Sequence, residues 1–260
     1  MGRFVGKVAI VAGGARGLGR RVSEDFVQEG GKVVIGDVNE PLGRELAARL
    51  GAENALFVEL DVQDGAACAR IVEQTVTTFG AADCLVNSAI SINAGSLLDL
   101  PLDRWRRTVD VGLTGTFLMA QAFARHRVAT GRPGAIVNLS SVAAWNPYGG
   151  AGAYSTVKAA IVHVSELMAI EWAPYGIRVN AVAPGTVETP LTAYLQDPEI
   201  RRLRAESIPL GRIGQPEDVS SGILYLLSDQ ASWVTATTLT IDGGANRSLM
   251  NHIPGRNWNS

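Results

Sequence analysis

The chain has 260 residues, 47% of them hydrophobic, with 23 lysines and arginines against 25 aspartates and glutamates. That length and apolar content suffice for one large α/β domain or two small ones. The formal net charge of −2, dispersed in both signs, offers no basic face to nucleic acid or to an anionic membrane.

Short apolar runs of strand-forming residues alternate with longer amphipathic ones. Strands are expected at Val8–Ala12, Val33–Asp37, Leu56–Leu60, Leu85–Asn87, Ala135–Ser140, Arg178–Ala183 and Thr238–Ile241, with helices near 17–29, 40–50, 65–79, 103–128, 152–174 and 217–228. Strands that are apolar throughout and separated by helices imply a parallel sheet covered on both faces. Right-handed crossovers then give a doubly wound, Rossmann-like α/β fold of about seven strands. No linker, repeat or low-complexity segment divides the chain, so a single domain over 1–260 is expected. Cys68 and Cys84 sit outside any disulfide framework, and His126, His163 and His252 show no metal-ligand spacing. No run is apolar for long enough to span a bilayer, and Lys7–Ala12 leads straight into glycines without a leader pattern. A soluble cytoplasmic protein without a metal is the expectation.

Three segments break the regular pattern. In the helix at 103–128, Trp105, Val109, Leu113, Phe117 and Ala120 form a stripe that Gly112 and Gly115 interrupt. Each such glycine costs a helix about 1 kcal/mol relative to alanine. Residues 187–215, which include Pro190, Pro198 and Pro209, insert a long excursion at the carboxyl edge of the sheet. That position suits a substrate lid, with a short helix within Leu191–Glu206. The tail 247–260 carries Leu249, Met250, Ile253 and Trp258, too apolar for a solvated end, and is expected to pack at a subunit interface.

The stretch KVAIVAGGARGLGRRV turns from the first strand into the first helix. Gly13 permits the tight turn, and Gly17 and Gly19 let backbone approach a pyrophosphate over the helix N-terminus. Arg16 and Leu18 belong to the same candidate cofactor turn. The spacing is G-x-x-x-G-x-G rather than the commoner G-x-G-x-x-G. Asp37 ends the second strand, where a carboxylate accepts the adenosine ribose hydroxyls and repels a 2′-phosphate. This favours NAD over NADP, although Arg16 is a cation that suits such a phosphate.

Further on, AYSTVKAA sets Tyr154 and Lys158 one helical turn apart on one face, and Ser141 ends the preceding strand region NLSS. With these residues in place, the sequence resembles the short-chain dehydrogenase/reductase family along nearly its whole length. The matching pieces are AGGARGLG, LDV at 60–62, NSA at 87–89, NLSS, YSTVK, NAVAPGTVETP at 180–190 and IDGG at 241–244.

The resemblance implies that Ser141, Tyr154 and Lys158 form the catalytic core of a hydride-transferring oxidoreductase. It also implies that Asp61 and Val62 flank the adenine, that Asn87 and Ala89 line the cofactor, and that Pro184, Gly185, Val187 and Thr189 hold the nicotinamide end. A phenol with a pKa of about 10 is a poor base at neutral pH. A nearby ammonium and a positive nicotinamide both favour its phenolate. Tyr154 would then exchange the hydroxyl proton while Ser141 bonds the substrate oxygen. The family further implies a homotetramer built on the helices at 103–128 and 152–174 and on the last strand.

Four departures from the family pattern involve five positions. Ala12 stands where threonine is usual, Ser88 and Ile90 replace residues of Asn-Asn-Ala-Gly, and Ala236 replaces a glycine, with an effect expected on packing only. The fourth is Gly112, at the position of the family's catalytic asparagine, whose side chain holds a water that links the lysine to solvent. The expectation is a rerouted proton exit, in which the Gly112 carbonyl or a water in about 30 Å³ of freed space substitutes. Gly115, by contrast, matches a family position where the helix backbone packs closely.

Pocket candidates are Ser91, Ile92, Asn93, Val142, Ala143, Trp145, Tyr148, Leu191 and Tyr194, beside Ser141 and Tyr154. They suit a medium-sized, mostly apolar secondary alcohol or ketone, with Arg201, Arg202 and Arg204 of the lid available to an anion. Two alternatives stand beside an NAD-dependent alcohol dehydrogenase or ketone reductase. One is an NAD-binding sensor or assembly protein with impaired catalysis; the other is a keto-acyl reductase.

Overall fold

A computed structural model describes residues 2–248. Seven parallel strands form one sheet in the order β3-β2-β1-β4-β5-β6-β7: β1 (Val8–Ala12), β2 (Lys32–Asp37), β3 (Ala55–Glu59), β4 (Cys84–Asn87), β5 (Gly134–Leu139), β6 (Ile177–Pro184) and β7 (Thr238–Ile241). The seven expected strands are all present, with ends shifted by a residue or so.

The strands are mostly apolar, with no strict alternation, because both faces are covered. Ala9, Val11, Val33 and Ile35 pack with Val22 and Phe26 of α1 (Gly17–Gln28), Leu46 of α2 (Glu40–Leu50) and Ile223 of α8 (Pro216–Leu227). The alternate residues Ile10, Ala12 and Val34 pack on the other face. Their partners there are Ile71 of α3 (Gly65–Phe79), Met119 and Phe123 of α5 (Gly115–Thr130) and Met168 of α6 (Tyr154–Trp172). This is the doubly wound arrangement, and it reverses direction between β1 and β4, where Ala12 is in register with Asn87. A crevice outside the carboxyl ends of the strands at such a reversal is where ligands bind in open α/β sheets.

The helix expected over 103–128 is not continuous. It consists of α4 (Leu102–Val109), a π-helical turn at Asp110–Thr114 and then α5. A π turn inserts one residue into the helical repeat and is common at functional sites. The two glycines have separate reasons. A Cβ at Gly115 would lie 2.4 Å from Val62 Cγ2, so only glycine lets this helix meet the loop after β3. Gly112 lies within the π turn and faces the site.

The excursion after β6 is an ordered element with its own apolar anchor. A 3₁₀ stretch (Pro190–Gln196) ends at Asp197, whose side chain accepts from the amides of Glu199 and Ile200 and starts α7 (Pro198–Glu206). Leu195, Ile208 and Ile213 are buried together beneath it. The short helix expected within 191–206 is therefore two pieces, broken where Asp197 leaves the helical region.

Ala236 does more than pack. Its φ is +57°, a left-handed conformation that no other non-glycine among the described residues adopts. The glycine usual there would carry this turn without the Cβ penalty of about 1–2 kcal/mol. Among the described residues no helix is long and apolar enough to cross a membrane. Residues 249–260 lie outside the described residues, and with them the interface expected of the tail.

Candidate active site

A cleft of about 580 Å³ opens along the carboxyl edge of the sheet. At one end is the turn between β1 and α1. Gly13 has φ +78°, and a Cβ there would lie 2.6 Å from the Ala89 amide nitrogen. Gly17 has φ +56° and lines the cleft with Arg16 and Leu18. Gly19 stands behind them as a packing residue, since a Cβ on it would meet the Gly13 carbonyl oxygen at 2.1 Å. No side chain caps the start of α1, so its first amides are available to an anion.

Asp37, at the end of β2, is buried and lines the same end of the cleft. Its carboxylate accepts from the Ala15 amide at 3.0 Å and the Asn39 amide at 2.9 Å, one on each oxygen. Each oxygen keeps a lone pair for a hydroxyl donor. Glycine turn, uncapped helix start and carboxylate together fit a dinucleotide. Asp61, Val62 and Ala89 continue the wall, and Pro184, Gly185, Val187 and Thr189 form the far side at the end of β6. Gly185 is required there because β6 passes close to Asp242, whose Cβ would stand 2.6 Å from an added one.

Asn87 does not reach the cleft. Its amide turns into the core, where it donates to Asn138 Oδ1 at 2.9 Å, and Asn138 donates in turn to Ser165 Oγ at 2.9 Å. Asn87 thus joins β4 to β5 and α6, a structural role that the one-dimensional motif does not reveal.

Ser141, Tyr154 and Lys158 converge from two directions. Ser141 follows β5 and caps a short 3₁₀ turn (Val142–Ala144), accepting from the Ala143 amide at 3.1 Å. Tyr154 opens α6, and Lys158 lies one turn later with its Nζ 5.7 Å from the Tyr154 ring centroid. Lys158 is buried, and its ammonium donates to the Leu139 carbonyl at 2.6 Å. Burial pushes Lys158 down to about 8. Burial also pushes the Tyr154 phenol up from its ordinary value, the nearby Ser141 hydroxyl opposes this by less, and Tyr148 and Tyr194 add to the rise.

The space beside Gly112 is closed. A Cβ on Gly112 would lie 2.7 Å from both Ile90 Cδ1 and Val157 Cγ1, and the Gly112 carbonyl accepts from Thr116 Oγ1 at 2.7 Å. The freed volume expected to hold a water is filled by Ile90, which is itself one of the departures from the family pattern. Two departures thus form one packed contact.

Of the substrate candidates, Ser91, Ile92, Tyr148, Leu191 and Tyr194 line the cleft with Ser141 and Tyr154. Ala143 is buried and positions Ser141 through its amide, and Trp145 is 46% exposed and off the cleft wall. Val142 is buried, and Asn93 donates to Thr108 Oγ1 at 3.2 Å; neither lines the cleft. Arg107 and Val111 do line it. Their four-residue spacing on the interrupted helix was the available signal, obscured by the π turn in which Val111 itself lies. Of the three α7 arginines only Arg204 reaches the wall.

Known proteins resemble this chain in sequence and in fold. A family described as enoyl-(acyl carrier protein) reductase matches residues 13–246. The 2,5-dichloro-2,5-cyclohexadiene-1,4-diol dehydrogenase of Sphingobium indicum is 38% identical over 244 residues, covering 93% of this chain and 97% of that protein. The 3-alpha-(or 20-beta)-hydroxysteroid dehydrogenase of Mycobacterium tuberculosis is 39% identical over 243 residues, covering 94% and 90%. The trans-4-hydroxycyclohexanecarboxylate dehydrogenase of Sinomonas cyclohexanicum is 39% identical over 250 residues, covering 93% of each. A short-chain type dehydrogenase/reductase from Mycobacterium ulcerans superposes with a TM-score of 0.89 at 32% identity, covering 94% of this chain and 90% of that one. The chain belongs to the short-chain dehydrogenase/reductase family and is an oxidoreductase, of a family that binds nicotinamide cofactors.

Proposed function

We propose that the protein interconverts a medium-sized, mostly apolar secondary alcohol and its ketone, with NAD as the preferred cofactor. The observation that carries this reading is the convergence of Ser141, Tyr154 and Lys158 in one cleft with the glycine turn and Asp37. Gly13, Arg16, Gly17, Leu18 and Asp37 would hold the adenosine and phosphates, and the segment from Pro184 to Thr189 the nicotinamide end. Bound there, the cofactor accepts or returns the hydride.

The protein's own part is proton transfer and orientation. Tyr154 takes the substrate hydroxyl proton through its phenol oxygen in oxidation and returns it in reduction. Ser141 hydrogen-bonds the same substrate oxygen. Lys158, held by the Leu139 carbonyl, fixes a positive charge below the Tyr154 ring. Since burial raises the phenol, its ionisation depends on the positive charge brought by the oxidised nicotinamide. That couples proton removal to the presence of NAD.

Asp37 supports NAD, because a 2′-phosphate beside a buried carboxylate would place like charges together in low dielectric. Ile90, Ile92 and Leu191 with the Tyr148 and Tyr194 phenols support a largely apolar ring. The relatives named for cyclic diols, hydroxysteroids and hydroxycyclohexanecarboxylates point the same way. The segment 187–215 is the substrate lid in this reading. Exposed Phe117 on α5 and Leu167 and Ile170 on α6 support the family's homotetramer.

An alcohol and ketone panel read at the NADH absorbance, with NAD and NADP in parallel, tests the proposal. Wild type should turn over cyclic secondary alcohols with NAD, and Tyr154→Phe should lose about 10²–10⁴ of the rate while NADH still binds. NADH binding without turnover of any panel member would instead favour the sensor reading.

A further inference from the structure

The arginines of α7 differ in what they touch. Arg201 is bidentate to Glu188 at 3.1 and 2.7 Å. Arg202 is held by Glu199 at 2.9 and 2.7 Å and by Glu206 at 2.7 Å. Both guanidiniums are consumed in keeping α7 folded and fastened to the strand end, since Glu188 is also reached by Gln215 at 3.2 Å. Arg204, on the same short helix, has neither an ion pair nor a guanidinium hydrogen bond among the described residues. It lines the cleft and lies over the Tyr194 ring, 5.7 Å from its centroid. A guanidinium resting on an aromatic face is held in one orientation without using its five donors.

Carboxylates are confined to one end of the cleft, where Arg16 also lies. The acidic residues on its wall are Asp37 and Asp61, both beyond the carboxyl ends of β2 and β3. Arg204 and Tyr194 follow β6, across the sheet, where Tyr148 and Tyr154 also line the wall and no carboxylate does. A cation whose donors no described residue takes, pre-oriented on a stretch of wall without a described acid, recognises a planar anion through paired N–H bonds.

We propose that Arg204 is a specificity-determining residue that binds a carboxylate of the substrate, so that the substrate is a cyclic hydroxy or oxo acid with its alcohol carbon at Tyr154 and its acid group at the lid. This rests on the reading that the cleft interconverts alcohols and ketones at Tyr154, and it adds the substrate class. Binding of the acid would draw α7 onto the cleft, because Arg204 sits on the element fastened through Arg201 and Glu188.

The test titrates cyclohexanecarboxylate and cyclohexanecarboxamide, which lack the reacting hydroxyl, into the full-length enzyme with saturating NADH by calorimetry. The carboxylate should bind at least about tenfold tighter than the amide, as expected of a charge-assisted pair worth about 1.4 kcal/mol or more. Arg204→Gln should erase the difference, Arg204→Lys should keep part of it, and added KCl should weaken only the carboxylate. Equal binding of the two ligands to wild type, binding of neither, or a preference that survives Arg204→Gln would each overturn the proposal. So would a weakened affinity for NADH in Arg204→Gln, which would assign the arginine to the cofactor. Failure of the Tyr154-dependent alcohol panel is read separately and strikes only the parent reading.

Discussion

Replacing Gly112 with asparagine puts back a side chain where the family pattern has one, and the packing around it opposes the change. The added Cβ would stand 2.7 Å from Ile90 Cδ1 and from Val157 Cγ1, about 1 Å inside the usual carbon–carbon contact of about 3.5–4.0 Å. Helix propensity favours asparagine over glycine by only about 0.3 kcal/mol. Overpacking of this kind costs about 1–3 kcal/mol, so the clash wins and the net loss is about 1–2 kcal/mol. At roughly 2–4 °C per kcal/mol for a domain approaching this size, Tm should fall by about 3–6 °C. Val157 cannot yield by rotation, because a β-branched residue has one strongly preferred rotamer in a helix. Ile90 can be shortened. In Ile90→Ala the offending Cδ1 is gone, and Gly112→Asn on that background should cost about 1 kcal/mol less than on the wild type, a coupling within the range of touching residues. Thermal unfolding of the four proteins in this cycle decides the matter. Additive losses, or a Gly112→Asn variant as stable as wild type, would refute the view that Ile90 and Gly112 are one exchanged contact. A pH–rate series on the doubly substituted protein then asks whether an asparagine with room to stand alters the proton exit.

Two further outcomes are expected. Ala236→Gly should stabilise the protein, since relief of the left-handed alanine is worth about 1–2 kcal/mol against about 0.4–1 kcal/mol of added unfolded-chain entropy; a Tm rise of about 1–3 °C checks it, and an unchanged or lower Tm contradicts it. Lys158 has its folded pKa held below its unfolded value by burial, at about 8, so the unfolded chain binds more protons between about pH 8 and pH 10.4 and the lysine's penalty is relieved as pH rises through that window. Urea unfolding at pH 7.5 and pH 10 should therefore show wild type gaining about 2.4 kcal/mol relative to Lys158→Met. The comparison with Lys158→Met is needed because the buried thiols of Cys68 and Cys84, pushed up to about 11 and about 12, favour the fold less as pH rises. A constant difference between the two proteins would mean that burial does not lower the Lys158 pKa.

What could be read in one dimension was what depends on local period and local chemistry. Ile10 and Val11 are both apolar because they face opposite covered sides of one strand, and that continuous pattern is enough to predict a parallel sheet. The glycine turn, Asp37 and the Tyr154–Lys158 pair could be read because each function needs particular residues at fixed short spacing. Asn87 misled because its motif says that the residue matters without saying which way its amide points. Arg107 and Val111 escaped because a π turn beginning at Asp110, between them, shifts the helical phase.

The sequence by itself determined the fold class and the family, and it singled out Ser141, Tyr154, Lys158 and Asp37, since these follow from patterning and from residue chemistry. Tertiary structure decided the rest. Ile90 and Gly112 are 22 positions apart in the chain, and only folding brings β4's following loop against the π turn so that one fills the space of the other. Arg201, Arg202 and Arg204 are alike in sequence, and only the arrangement of Glu188, Glu199 and Glu206 around them leaves one guanidinium at the cleft without a carboxylate among the described residues. Close packing and pairing are properties of residues distant in the chain, and no local period encodes them.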